Sequence, residues 1–551
     1  MRQTIYFSLL WGACASTSSA FAQDAAIANA NPFESVSNAR ESRNTNEDKN
    51  VGTGSIIVPE SVYQTRGEAS LVTIGSVSVN SDERVAPHIL ANSYEGFIGL
   101  EASQENLRAL ASSISQAARE SGYIFASAQI PPQSIKVGIV SVQLDPGPID
   151  EIRVIGSENK RLRKILSRLL SRAAVADVLE RQLQLASDLR GITLVNTAYE
   201  RQNGRGVLVV TVREDKVSGY AAFDNHGPAA FGPVRARIEY DIAGLLSDDD
   251  VLTTRVISTA LQPSEMIYFN SRYAATLGDG STVVGVSAAA GRTRLKSNVG
   301  GIDVKGSNRY ASIFASHALK RSRGFNIWLN GEIDYLAVVQ SADGMVFQDD
   351  RIVTASVSFT GNYDVGIGRV YGGVGVTQGL GILGASEIGD PLNSRMKASG
   401  EFTKVNLWVD SILNAGGGFG VRLAANAQIA SRPLLAPNEI AVGGPYFGRG
   451  YDFSERFGDE GIIGLTELRK DFNSVNNWLN WFQLYGFVDG GFVDHIGTGY
   501  GDGALGSAGG GMRAQAGKLD LGLEVGVPIS IDRLASGDQS PKINMQVGMR
   551  F

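Results

Sequence analysis

Cysteine is all but missing: Cys14 stands alone in 551 residues. It lies inside an N-terminal stretch that reads as a secretory leader, so the mature chain keeps no thiol, and disulfide staples and thiolate metal sites are excluded. Histidine is scarce as well. His88, His226, His317 and His495 share no metal-ligand spacing and read as structural residues. Lysine and arginine, 50 against 56 acidic residues, leave a net charge of −6, which argues against nucleic acid as the main partner. Beyond the leader no run of about 18 apolar residues occurs, which excludes a helical membrane protein. A β-barrel is not excluded, because alternating strands hide their hydrophobicity from window averages. Glycine patterns such as GGVGVTQGLGILG sit in strand-like segments and not before a helix, so they are not phosphate loops. With no nucleophile elbow and no acid/base pair, an enzyme is not expected and no cofactor is implied.

What is present falls into five stretches. Residues 1–22 carry Arg2, an apolar core over 5–15 and the sequence Ala20-Phe21-Ala22, a secretory signal with cleavage after Ala22. A lipoprotein reading of Cys14 stays open, although Trp11 sits where a lipobox prefers leucine. Residues 23–67 are rich in Asn, Ser, Ala and charge and read as linker, with room for a short helix over 32–43. Residues 68–147 and 148–216 each follow the order β-α-α-β-β. The better helix of the first, 103–121, puts Leu107, Leu110, Ala111, Ile114 and Ala118 on one face and stops at Gly122. A repeated small module suits a peptide-handling arm, because an exposed sheet edge can add a strand from an unfolded client. A plain spacer is the alternative.

From 217 to 551 the texture is of short alternating strands, sixteen candidates in all, the even number that closed antiparallel barrels require. In the last, 541–551, Ile543, Met545, Val547, Met549 and Phe551 share one face, and Lys542, Asn544, Gln546 and Arg550 the other. A soluble sandwich has the same period. Connection lengths decide: those at 296–307, 337–350, 379–394, 431–459, 494–504 and 530–540 are long, and those between them short. Long loops therefore lie at one end and turns at the other, the form of an outer-membrane barrel with its turns in the periplasm. The tenth strand is placed over 395–408.

One long loop stands apart, VGGPYFGRGYDFSERFGD over 442–459. Gly448 and Gly450 flank Arg449, letting the backbone pass through a tight space, and Tyr451 follows. A guanidinium in such a loop calls for a fixed carboxylate, and Asp489 is the candidate. Phe482, Leu484 and Val488 alternate away from Asp489, which turns it to the lumen, where a charge belongs. Glu467 and Arg469 are candidates for the same network. The helix NKRLRKILSRLLSR over 159–172 is basic and amphipathic. Its Arg161, Arg163 and Lys164 either form a solvated face or meet an acidic client or anionic headgroups.

These residues resemble a known family. ESGYIFASAQIPPQSIKVGIVSVQLDPGPIDEIRVIG, VLERQLQLASDLRGITL with NGRGVLVVTV, the barrel opening FDNHGPAAFGPVR, the Arg-Gly-Tyr loop and FVDGG are similar to the two-partner secretion transporters of the haemolysin and filamentous-haemagglutinin secretion/activation family, over roughly residues 70–551. That family belongs to the superfamily of barrels with polypeptide-transport-associated (POTRA) modules. Gly448, Arg190 and Ala318 depart from it, standing where Val, Pro and Pro are usual. The resemblance implies two periplasmic POTRA modules, a monomeric sixteen-stranded outer-membrane barrel and an inserted loop locked by Arg449, Gly450, Tyr451 and Asp489. It also implies an unfolded exoprotein client with an N-terminal secretion domain, contact with outer-membrane lipid, and an N-terminal plug helix in many members. An outer-membrane assembly factor of the same superfamily is the alternative, though such factors usually carry more modules. A diffusion porin would need no modules.

Overall fold

The computed structural model describes residues 72–551 except 82–86, 136, 171–174, 229–231, 297–302 and 474–477. The leader, Cys14 and the linker expected over 23–67 lie outside the described residues.

The first module runs β1 (Ser76–Ser81), α1 (Pro87–Tyr94), α2 (Gln104–Glu120), β2 (Ser127–Gln129) and β3 (Ile139–Asp145). β1 pairs with β3 in parallel and β2 with β3 antiparallel. A parallel pair needs a crossover, and the two helices supply it. Ser103 caps α2 by accepting from Asn106 N at 3.2 Å, and Leu107, Leu110, Ala111, Ile114 and Ala118 are its buried stripe. Gly122 follows at φ 101°, where a side chain would be strained. The second module repeats the plan with β4 (Glu151–Ile155), α3 (Lys160–Leu166), α4 (Ala176–Ser187), β5 (Ile192–Gln202) and β6 (Arg205–Glu214), β4 being parallel to β6. Asn203 and Gly204 make the β5–β6 turn at φ 53° and 79°.

The modules dock on each other. Phe125 of the first lies flat on Tyr199 of the second, ring centroids 4.0 Å apart and 6° from parallel. The Tyr199 hydroxyl donates to Pro148 O at 3.1 Å, and Arg201 pairs with Asp145 across the junction.

Sixteen strands then close a barrel, from Val217–Asp224 to Lys542–Arg550. The closing pair runs antiparallel from Gln546 opposite Asp224 to Arg550 opposite Tyr220. Phe551 and Gly219 extend it by exchanging backbone bonds of 3.0 and 2.8 Å. Ile543 and Met545 are about half exposed on the outer face while Asn544, between them, is 4% exposed in the lumen. The barrel therefore presents its oily face outward, as a lipid-embedded cylinder must.

Several strand boundaries differ from the sequence reading: strands Thr282–Lys296 and Asp303–Lys320 narrow the connection expected over 296–307, and two further differences change how a loop is read. The connection at 337–350 is not a long loop: strands Phe325–Ala342 and Met345–Asp364 run on to a two-residue turn at Asp343 (φ 49°) and Gly344 (φ 84°). An Asp-Gly pair between alternating segments is a strong hairpin signal, masked here by the charged residues around it. The tenth strand is Thr403–Gly416, not 395–408, because the preceding strand ends at Gly379 and its ladder begins with Gln378 opposite Thr403. Residues 395–402 belong to a loop whose Ala398 and Phe402 pack on Leu434 and Leu435.

The second module sits on the short turns. Asn159 Nδ2 donates to Asp248 O at 2.6 Å, Arg161 pairs with Asp249 and donates to Gly278 O at 3.0 Å, and Arg168 pairs with Asp279 at 3.0 Å. From the barrel, Arg321 grips Asp188 of α4's C-terminal end at 2.6 Å and Arg323 N donates to Glu180 at 2.7 Å. Ala318 N donates to Ser281 O at 2.7 Å and its side chain packs into the module's core. The proline usual in the family would lose that bond.

Candidate functional site

The loop between strands Phe419–Ala430 and Glu460–Asn473 turns into the barrel. Its neck is a small hairpin, Ile440–Val442 paired with Arg456–Gly458. Beyond the neck the chain needs glycine: Gly443, Gly444 and Gly448 have φ of 118°, 103° and 80°. A valine at 448 would be strained there and would press on the Gly443 backbone, 3.1 Å from a Cβ. Gly450 and Gly526 let loop and barrel wall meet backbone to backbone. A Cβ at 450 would lie 2.7 Å from Pro528 N, and one at 526 would lie 2.7 Å from Arg449 O.

Arg449, 3% exposed, reaches three carboxylates on three strands. Its Nε meets Asp489 Oδ2 at 2.8 Å, on the strand Trp481–Asp494. Its Nη1 meets Glu467 Oε2 at 3.0 Å, on Glu460–Asn473, and Glu524 Oε2 at 2.8 Å, on Leu519–Pro528. Its backbone N–H also points at Asp489, 3.2 Å from Oδ1. Below, the guanidinium lies over the Phe487 ring, 3.4 Å from the centroid. Glu467 is shared: Arg513 meets it at 2.8 Å and Arg469 at 3.3 Å. Three arginines thus face three carboxylates, a balance that permits so many charges in a dry place. Around them Ser507 donates to Asp489, Tyr485 donates to Glu524 at 2.9 Å, and Asn544 donates to Glu524 at 3.1 Å.

The neighbours of Arg449 are held too. Gly450 N donates to Ser507 Oγ at 3.1 Å. Tyr451 is fully buried, its hydroxyl donating to Ile531 O at 3.0 Å. Lys542, at the start of the last strand, donates to Tyr451 O at 3.0 Å and Asp452 at 2.8 Å.

Of the residues singled out in the sequence, Arg449, Gly450, Tyr451, Asp489, Glu467 and Arg469 meet in this one place. Arg161, Arg163 and Lys164 are elsewhere. Arg161 is committed to the barrel turns, Arg163 pairs with Glu158 at 2.5 Å, and Lys164 is exposed. Glu524, Arg513, Ser507 and Asn544 belong to the site and were not singled out. Asn544 already stood on the wet face of the last strand, but alternation carries no register across strands. The arrangement is an ionic network of three guanidiniums and three carboxylates. It pins a loop across the lumen by charge-assisted bonds.

Comparison with known proteins follows from this geometry. The family model described as haemolysin secretion/activation protein ShlB/FhaC/HecB matches residues 204–514, and that of the ShlB-type POTRA domain matches 72–147. The heme/hemopexin transporter protein HuxB of Haemophilus influenzae (strain 86-028NP) is 22% identical over 401 residues, 71% of this chain and 70% of HuxB. The solved structure of CdiB from Escherichia coli superposes with a TM-score of 0.73 at 16% identity, covering 97% of this chain and 99% of CdiB. BamA from Haemophilus ducreyi lacking POTRA domains 1–3 is a more distant fold match, TM-score 0.50 at 12% identity over 87% of this chain and 100% of that one.

Proposed function

The chain belongs to the haemolysin secretion/activation protein family ShlB/FhaC/HecB, and from that premise we propose that its inserted loop is the lock of a protein-export channel. The protein is an outer-membrane transporter of two-partner secretion, its barrel in the outer membrane and its POTRA modules in the periplasm. Such transporters pass a secreted exoprotein to the cell surface. In our reading the client is unfolded in transit, presents an N-terminal secretion domain to the modules, and crosses a single monomeric barrel whose outer face meets lipid. The observation that carries the lock is the placement of Arg449, on a loop entering from outside, against carboxylates of three separate wall strands. While those bonds hold, the loop occupies the path. When they break, the loop can swing on its neck.

Breaking such a pair leaves a buried charge uncompensated, at about 3–5 kcal/mol. Arg449→Ala should leave the barrel inserted and heat-modifiable on gels while export of the partner drops severalfold or more. Normal export by that mutant would remove the lock from the mechanism. The assembly-factor alternative predicts a different phenotype, loss of unrelated barrels from the outer membrane on depletion. Two modules and the closer likeness to CdiB favour export.

A further inference from the structure

The loop has a second ionic cluster, at its neck rather than its tip. Ile440 opposite Gly458 is the outermost pair of the neck, so Glu439 and Asp459 are the next residue on each leg. Both carboxylates are buried, 2% and 0% exposed. One guanidinium joins them: Arg395 Nη1 lies 2.8 Å from Glu439 Oε1 and 2.6 Å from Asp459 Oδ1. Arg395 comes from the loop before the tenth strand. His495, from the loop after Trp481–Asp494, brings Nε2 to 3.1 Å from Glu439. Asp459 also accepts from Leu434 N at 2.6 Å and Ile496 N at 2.8 Å. Arg395 is itself placed: Asp350 accepts from Ser394 N at 2.8 Å, and Ser394 Oγ accepts from Ala436 N at 3.0 Å.

We propose that Arg395 is an outer lock on the same loop, clamping its two legs together at the barrel rim. The inference rests on the reading of the Arg449 loop as the channel's lock and adds a hinge control to it. The physical reason is charge count. The Arg449 cluster is balanced, but at the neck two buried carboxylates share one guanidinium, with the His495 imidazole beside Glu439 alone. Withdraw Arg395 and two like charges remain on adjacent legs of a hairpin only three residues long on each side. The neck then opens, and the loop can leave the lumen as a unit. Among the described residues Arg395 bonds Leu434 O, Glu439 and Asp459 and no member of the Arg449 cluster, so the two locks act in series on one hinged element.

The test uses the full chain in the outer membrane. Cys14 is the only cysteine, so Tyr446→Cys at the loop tip can report on exposure with a membrane-impermeant maleimide added from outside. Adding Arg395→Met should raise the labelling rate about tenfold over the Tyr446→Cys parent, a shift toward the displaced loop. Replacing Glu439 by Gln and Asp459 by Asn in that background should bring the rate back toward the parent, because the repulsion is gone. Arg395→Gln, which keeps hydrogen bonding but not charge, serves should Arg395→Met fail to insert. Unchanged labelling in the Arg395 variants, with Arg449→Ala raising it, overturns the outer lock alone. Unchanged labelling in Arg449→Ala as well overturns the underlying reading of the loop. Fast labelling that the Gln/Asn pair does not reverse also overturns the proposal, since a general loosening of the rim would do that.

Discussion

Arg449 and Tyr199 illustrate how a single side chain acquires its role from what buries it. The pairing of Arg449 with Asp489 was legible because glycines bracket the arginine and because Asp489 alternates inward. What could not be read was that Glu467 would be shared by three guanidiniums and that Glu524 would complete the balance. Tyr199 carried no signal at all, being one aromatic in a strand. Its environment makes it a titratable joint between the modules. Burial, and then Asp150, pushes its hydroxyl from 10.0 up to about 12. The folded value is raised, so the stabilisation is fully present below pH 10 and is lost as pH rises towards about 12. Alkaline titration of the detergent-solubilised protein should therefore separate Phe125 from Tyr199 in that window, read by near-ultraviolet dichroism. Tyr199→Phe should remove that transition.

At the scale of elements, the two helices of each module and the barrel strands follow from apolar periods of 3.6 and 2. The turn at Asp343 and Gly344 departed from the reading through a local signal passed over, and the tenth strand for a tertiary reason. Residues 395–402 have strand-like composition, but the neighbouring strand ends before them, and a strand without a ladder partner becomes a loop. Helix α3 reads as a solvated face first, and otherwise as one that meets an acidic client or anionic headgroups. The structure gives Arg161 instead to Asp249 and Gly278 on the barrel turns. Arg161→Glu should set like charges against Asp249 and loosen module 2 from the barrel, while Lys164→Glu, at an exposed position, should not. Limited proteolysis of the detergent-solubilised protein distinguishes the two: faster cleavage between 214 and 217 is expected only for the Arg161 variant.

For the whole molecule the decisive feature is closure. Every backbone group in the hydrocarbon must be paired within the chain, at several kcal/mol for each one left over, so the first and last strands have to meet. They do so over a short seam that Phe551 and Gly219 extend, with the Phe551 ring at the edge of Tyr240, centroids 5.3 Å apart. Removing Phe551 deletes two backbone bonds and that ring from the seam. The expected result is a marked fall in the heat-modifiable, folded fraction in the outer membrane, with export falling in proportion to it.

The amino-acid sequence by itself determined the order of the modules, the number of strands and which face of each strand is oily, because these depend on local period and on the spacing of turns. It also marked one arginine and one aspartate by the glycines and alternation around them. Only the tertiary structure decided which charges share a site. Glu467, Asp489 and Glu524 meet because barrel register brings these neighbouring strands level, and Arg395 reaches the neck because an unpaired segment folds over the rim. Register and rim packing are properties of the closed barrel, and no stretch of the chain carries them alone.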